Sequence, residues 1–508
     1  MAPPCGRLRK EDARHVAWHL RADLVSAFSG LACPPHRKGD KMQSPAQPTH
    51  DENYNEALTY DLAYDIVPLD ARRGPVAMGL LWLATQTSFS GMFIGFSQQQ
   101  AGQPLSALLW GCGLGVICLC IYGSLAGYLG AVTGQMQPFL SRAVFGKVGA
   151  IIVSIFLIVM GSGWYSFQAV YTGQLLQGLF PHVAISISII AIFFTIVMAT
   201  NNILGFKGIG VFGRFVAPFV FFIAVYSLYE TLSSTPSSLI WATPKIHNTT
   251  SIIATATLII GAGVFGNEPD IWRFSRRDLA NVALPMAFSY ALGLFLFPLA
   301  GWVMALTSTG STPGQQALVI VHYLFGSVPI AAIIILMSQF ALNDINLYES
   351  INAMANVFNM KRYYSIAILL IGGCLLSVWM ATAASQTVFF IVAGIGASTV
   401  PTATTLMAID VLLLPRLFGI HRDLSTVLSW RALQSTNWLG IIAMLAGVIV
   451  SIVLSIPGNV IPNFGLSIGL APFEGWVAAV VLYLVMIAVV RSKAELRWTI
   501  GLGTVAAE

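Results

Sequence analysis

Charge is what this chain has least of. Only 9% of its 508 residues are Asp, Glu, Lys or Arg, against roughly 25% in an ordinary soluble domain. Hydrophobic residues make up 56%, and mean hydropathy is +0.76. No soluble fold of this size hides so much apolar surface, so lipid is the solvent for most of the chain. The net charge of +5 does not point to nucleic acid, because the basic residues sit in short loops between apolar runs. Cysteine is also sparse and scattered: Cys5, Cys33, Cys112, Cys118, Cys120 and Cys374. Three share one apolar segment and none has metal-ligand spacing, which removes a disulfide framework and a zinc site. The eight histidines lie mostly in the tail and loops, and none pairs with a Ser, Cys or Asp as an enzyme centre requires. No polar stripe suggests a channel, and no signal-peptide pattern opens the chain.

Residues 1–74 are polar and rich in Pro, His, Arg and Asp, and read as a largely disordered cytoplasmic tail. "MQSPAQPTHDENYNEAL" from Met42 looks like a natural start, which marks residues 1–41 as a candidate over-extension. Twelve apolar segments follow, each near or above the ~20 residues a spanning helix needs. They lie near 75–96, 105–130, 149–178, 182–203, 208–231, 251–267, 280–306, 328–356, 363–384, 387–413, 434–456 and 470–490. A shorter apolar piece near 316–325 reads as a half-helix. Basic residues fall in alternate loops: Arg72 and Arg73, Arg142 and Lys147, Lys207, Arg273 to Arg277, Lys361 and Arg362, Arg416 to Arg431, and Arg491 to Arg497. The positive-inside rule puts that side, and both termini, in the cytoplasm of a cell-membrane protein.

Two segments are weak helices in their middles. The first, "LWLATQTSFSGMFIGF", gathers Thr, Gln and Ser at its centre, and the sixth, "LIIGAGVFGNEPDIWRF", gathers Gly261, Gly263, Gly266 and Pro269. Interrupted helices at matching places in two halves are a sequence pointer to an inverted-repeat transporter site. The fold read from this is all-α and polytopic, with twelve transmembrane helices. A 5+5 inverted-repeat core over 75–413 has helices 1 and 6 broken, two accessory helices lie within 414–490, and 491–508 is a second tail.

Polar residues at such depth mark sites or ion paths. "FALNDINLYES" places Asn343, Asp344 and Asn346 inside the eighth apolar run. In the third, Trp164 and Gln168 are four residues apart and share a face. An indole plane stacks on a flat ring and an amide reads its edge, although a packing Trp and an inter-helix Gln account for the same pair. A structural ion pair or helix cap accounts equally for Asp344. Glu268 and Asp270, and Asp410 with them, read as groups near the cytoplasmic face, the first two bonded to backbone or to Arg273.

"ALNDINLYESINAMANVF" resembles the eighth span of bacterial cytosine permeases. "ARRGP", "GYLGAVTGQMQPFLSRAVFG", "GWYSFQ", "PDIWRFSRR" and "VPTATTLMAIDVLL" fit the nucleobase–cation symporter family in the same order, over about residues 55 to 495. That resemblance implies alternating access and import of a purine, pyrimidine or related heterocycle with H⁺ or Na⁺, without an organic cofactor. It makes Trp164 the stacking platform, Gln168 an edge-reading amide, and Phe265 the aromatic on the other face. Backbone at Gly263 and Gly266, the side chains of Asn343 and Asp344, and Ser88 would line the same pocket. Asn346 shares the face of Asn343 and Gln339 and would read substrate or link helices.

One departure bears on coupling. Sodium-coupled members carry hydroxyls where this chain has Ala341 and Leu342. A hard cation wants oxygens, and only Ser338, Ser88 and the Ala84–Thr85 stretch remain to supply them. Proton coupling is therefore favoured, with Asp344 as carrier. The expected function is import of cytosine or a purine by proton symport. The alternative is another heterocycle on the same scaffold: hydantoin, allantoin, uracil or thiamine.

Overall fold

The computed structural model describes residues 65–241, 249–264, 266–307, 312–323, 326–358, 360–383, 385–433, 436–455 and 469–490. Among them every regular element is helical, with two isolated bridges and no strand. The helices are α1 (Pro75–Gln86 and Phe89–Gln100), α2 (Leu105–Thr133), α3 (Gln137–Leu179), α4 (Ile187–Met198), α5 (Gly205–Ser234) and α6 (Thr249–Gly263 and Glu268–Trp272). After them come α7 (Leu279–Ala305), α8 (Val328–Phe358), α9 (Arg362–Ala381), α10 (Thr387–Phe418), α11 (Trp438–Ser455) and α12 (Ala471–Val490). Nine of these are long and apolar enough to cross a membrane. The broken α1 and α6 and the shorter α4 complete the twelve expected spans. The apolar piece before α8 is a separate helix, Pro313–Tyr323.

Large apolar side chains stay exposed along outward faces: Ile117 and Ile121 on α2, Ile371 and Leu375 on α9, Val481 and Val485 on α12. Exposed apolar surface on that scale belongs against lipid. The polar residues are turned inward instead, so Ser338, Gln339, Asn343, Asp344, Asn346, Glu349 and Ser350 of α8 are all buried.

Both expected breaks are present. In α1 the hydroxyls of Thr85 and Thr87 donate back to the carbonyls of Trp82 (2.8 Å) and Leu83 (2.5 Å). Such back-bonding weakens a helix, and Ser88 follows in extended conformation. Gly293 fits against the backbone of Gln86 at this point, inside a π-helical stretch of α7, Leu292–Leu296. In α6 the break spans 264–267. Gly266 has φ +78°, where a Cβ is disfavoured, and Pro269 opens the second half, where its missing N–H costs nothing.

One boundary differs from expectation. α3 starts at Gln137 rather than near 149, because a first leg turns into the span at Gly146, whose φ of 71° and ψ of −165° are not helical. Helices α11 and α12 pack on each other and on α10. Asp410 binds Arg422 through both oxygens, at 2.7 and 2.9 Å, and accepts from Tyr483 of α12 at 2.5 Å. The side-chain neighbours of Asp410 are thus one arginine and one tyrosine, neither of which the sequence marked.

Candidate functional site

The two broken helices meet α3, α7, α8 and α10 around a small cavity. Its walls are Thr85, Gln86, Ser88, Ser90 and Gly91 of α1, Trp164 and Gln168 of α3, and Ala262 of α6. Leu294, Leu342, Asn346 and Phe389 complete them. No ionisable side chain is among these residues.

The polar walls form a chain. Ser88 and Ser90 share a hydrogen bond of 2.5 Å. Gln168 Nε2 donates to Ser90 Oγ at 3.4 Å, and Gln339 Nε2 donates to Gln168 Oε1 at 2.6 Å. Trp164 Nε1, Gln86 Nε2 and Asn346 Oδ1 are buried and have no partner. A buried polar atom left unpaired costs free energy comparable to its desolvation, so such atoms on a cavity wall are positions where a polar guest gains most. The aromatic part of the wall is Trp164 with Phe389, whose centroids lie 5.6 Å apart at 78°, edge to face.

Of the residues expected at a site, the structure brings together Trp164, Gln168, Ser88 and Asn346. Phe265 lies outside the described residues. Gly263 is not itself a wall; it packs behind one, since a Cβ there would crowd Leu294 and Leu119. Gly266 faces α10: its carbonyl accepts from Thr404 Oγ1 at 2.8 Å and a Cβ would strike Val400. Ser338 donates to the Thr87 carbonyl at 3.0 Å, joining α8 to the α1 break. Ala84 is buried one turn before that break.

Two residues of α8 expected at a site are not among the walls of this cavity. Asn343 does not line the cavity. Its Nδ2 donates to the Tyr165 carbonyl (3.1 Å) and to Met198 Sδ (3.0 Å), and its Oδ1 accepts from Asn346 (3.1 Å). Asp344 faces away from the cavity altogether. Its Oδ2 accepts from Asn201 Nδ2 at 2.6 Å, and its carbonyl from Asn202 Nδ2 at 3.0 Å. The reason is helical phase. At about 100° per residue, Gln339, Leu342, Asn346 and Glu349 fall on one stripe and Asp344 on the opposite one.

Glu268 accepts from Tyr122 at 3.0 Å. Asp270 accepts from the Gln137 backbone N–H at 2.5 Å and from Asn352 at 3.4 Å, and its carbonyl takes Arg273 Nε at 3.3 Å. Sequence reasoning named neither Phe389 nor Glu349. Phe389 follows Ser385, Gln386 and Thr387 but carries no motif of its own, and Glu349 was hidden in the same run as Asp344.

No family model and no curated protein matches the chain by sequence. Solved structures match it by shape. One is Mhp1, a nucleobase-cation-symport-1 family transporter in a closed conformation with bromovinylhydantoin bound: TM-score 0.63, 17% identity, 86% of this chain and 98% of that one. Mhp1 in an inward-facing conformation gives 0.60, at 16% identity over 87% and 98%. A substrate-bound, outward-open Na⁺-coupled sialic acid symporter gives 0.59, at 10% identity over 86% and 94%. The chain has the fold of these membrane transporters.

Proposed function

We propose that this chain is a secondary active transporter that imports a neutral, planar heterocycle of the nucleobase kind by cation symport, with protons favoured over sodium. One observation carries the reading. A cavity free of charged side chains lies where two helices break, and it combines an indole, a phenyl ring and unpaired amide and indole groups. Stacking faces and edge hydrogen bonds together suit a flat polar ring and little else. A cation such as thiamine would have no countercharge there. The basic ends of the helices lie in the cytoplasm, with both termini, following the positive-inside rule.

Proton coupling rests on the oxygens available. Ser338 donates its proton to the Thr87 carbonyl and keeps its oxygen lone pairs, but Ala341 and Leu342 offer no side-chain oxygen beside it. A hard cation would be short of ligands at that place.

A hydantoin is the second reading. It is favoured by the bromovinylhydantoin held by Mhp1 in the same fold. Unpaired N–H groups on Gln86 and Trp164 suit a carbonyl-bearing ring as well as they suit cytosine. The test is uptake of radiolabelled cytosine by a transport-deficient host, competed with purines, pyrimidines, hydantoin, allantoin and thiamine. Sodium is replaced, and a protonophore added, in parallel arms. Competition by a nucleobase, with loss on protonophore but not on sodium removal, is expected. Competition by hydantoin alone moves the substrate to the second reading, and strict sodium dependence overturns the proton assignment.

A further inference from the structure

Glu349 sits on α8 one turn beyond Asn346, on the stripe that faces the cavity and α3. It is fully buried, and neither of its carboxyl oxygens has a hydrogen-bond partner. Gly161 of α3 closes against it: a Cβ there would lie 2.6 Å from Glu349 Oε1 and 2.5 Å from the Asn346 carbonyl, and would strike Ser350 Oγ. The glycine therefore lets the α3 backbone seal Glu349 in, directly below a residue of the cavity wall.

The other side of Glu349 is the break in α6. Asn267 of that break lies alongside it, fully buried, with both side-chain polar atoms lacking a well-formed hydrogen bond. Asp270 and Glu268 of the same helix also face it. Arg273 is the nearest cation of α6, but it bonds the Asp270 carbonyl and Tyr348 and leaves both Glu349 oxygens unmet. From α3, residues 148–164 contribute no ionisable side chain. Tyr122 of α2 is committed to Glu268. Among the described residues no group of three His, Cys, Asp or Glu converges as metal ligands.

A buried carboxylate that meets only a poorly aligned amide, and faces two more carboxylates, is poorly accommodated as an anion. A neutral carboxyl fits the same place. We infer that Glu349 is the proton-binding site through which transport is coupled, resting on the symport reading above. An O–H bond forms at a Glu349 oxygen with a proton taken from water reaching the cavity past Asn346. The proton leaves to water on the opposite side once the α6 break and its carboxylates move away from α8. Neutral Glu349 permits the contact with Glu268 and Asp270 to close, and the anion opposes it. Binding and closure are thereby linked.

The test uses the full chain in two assays. In proteoliposomes, pH-difference infrared spectra should show a protonated-carboxyl band that E349Q removes and D344N keeps. The same band surviving in E349Q overturns the assignment. In uptake assays with the substrate found above, wild-type accumulation should change at least about fivefold with external pH, and E349Q by less than about twofold. A wild-type pH response in E349Q also overturns it. If E349Q does not fold, E349D serves: a shifted band supports the site and an unshifted one refutes it. Should no heterocycle be taken up by the wild type, the transporter reading fails while the infrared result still decides the proton site.

Discussion

The polar residues of α8 divide by what they touch. On one side, Asp344, with Asn343 at the edge of the cavity stripe, holds the backbone of α3, Met198 and the asparagines after α4, and Asp344 Oδ1 alone of their side-chain atoms is left without a partner. On the other, Gln339, Asn346 and Glu349 each keep at least one buried atom without a partner. Satisfied polar groups rigidify a packed helix; unsatisfied ones along a cavity are the groups a guest or a proton can still satisfy. The difference suggests that the outer face anchors α8 and the inner face works.

The comparison breaks most severely at Gly161. Replacing it with Val forces side-chain atoms into Glu349, Ser350 and the Asn346 backbone. Overpacking at a backbone contact is expected to cut the yield of monodisperse protein several-fold, read by size-exclusion chromatography. Gly163→Ala, whose Cβ meets only Val392 at ordinary distance, should stay near wild type. Equal yields for the two would mean that α3 does not seal the inner face.

Next is the aromatic wall. Stacking on an aromatic is worth about 1–3 kcal/mol per base, so Trp164→Ala should raise the apparent KM for the transported ring roughly 10- to 100-fold. Trp164→Phe should recover part of the loss. An unchanged KM in the alanine variant would return Trp164 to a packing role against Phe167 and Phe389.

Gln168→Ala should cost less, about five- to tenfold in uptake efficiency. It removes one hydrogen-bonding amide and leaves Gln339 unpaired. Competition with ring analogues would sharpen this: if Gln168 reads an edge, the variant tolerates loss of that edge group, and the wild type does not.

Asp344→Asn is expected to have the smallest effect. The amide keeps a contact with Asn201 while the charge is lost, and uptake should fall within about threefold with its pH response intact. A D344N protein that no longer responds to pH, beside a wild-type-like E349Q, would exchange the roles of the two faces.

Much of this was legible along the chain. Apolar runs fixed the number of spans, and the Thr–Gln–Thr–Ser and Gly-rich stretches located both breaks, because helix length and backbone competition are local properties. Trp164 and Gln168 were legible as a pair because four-residue spacing puts them on one face wherever α3 packs. That Asn343 and Asp344 are not among the cavity walls was illegible for the complementary reason. Spacing says which residues share a face but not which face meets the cavity. Phe389 had no local mark at all.

The sequence by itself determined that lipid is this protein's solvent, that the chain crosses it twelve times, and that α1 and α6 are interrupted. Those follow from hydropathy and backbone chemistry, which act over a few residues. Only the tertiary structure decided how α8 is rotated. That rotation turned Asp344 toward Asn201 and Glu349 toward the α6 break. The rotation of a helix is set by the side chains of its neighbours, here Gly161 of α3 and the residues after α4, which lie more than a hundred residues away along the chain.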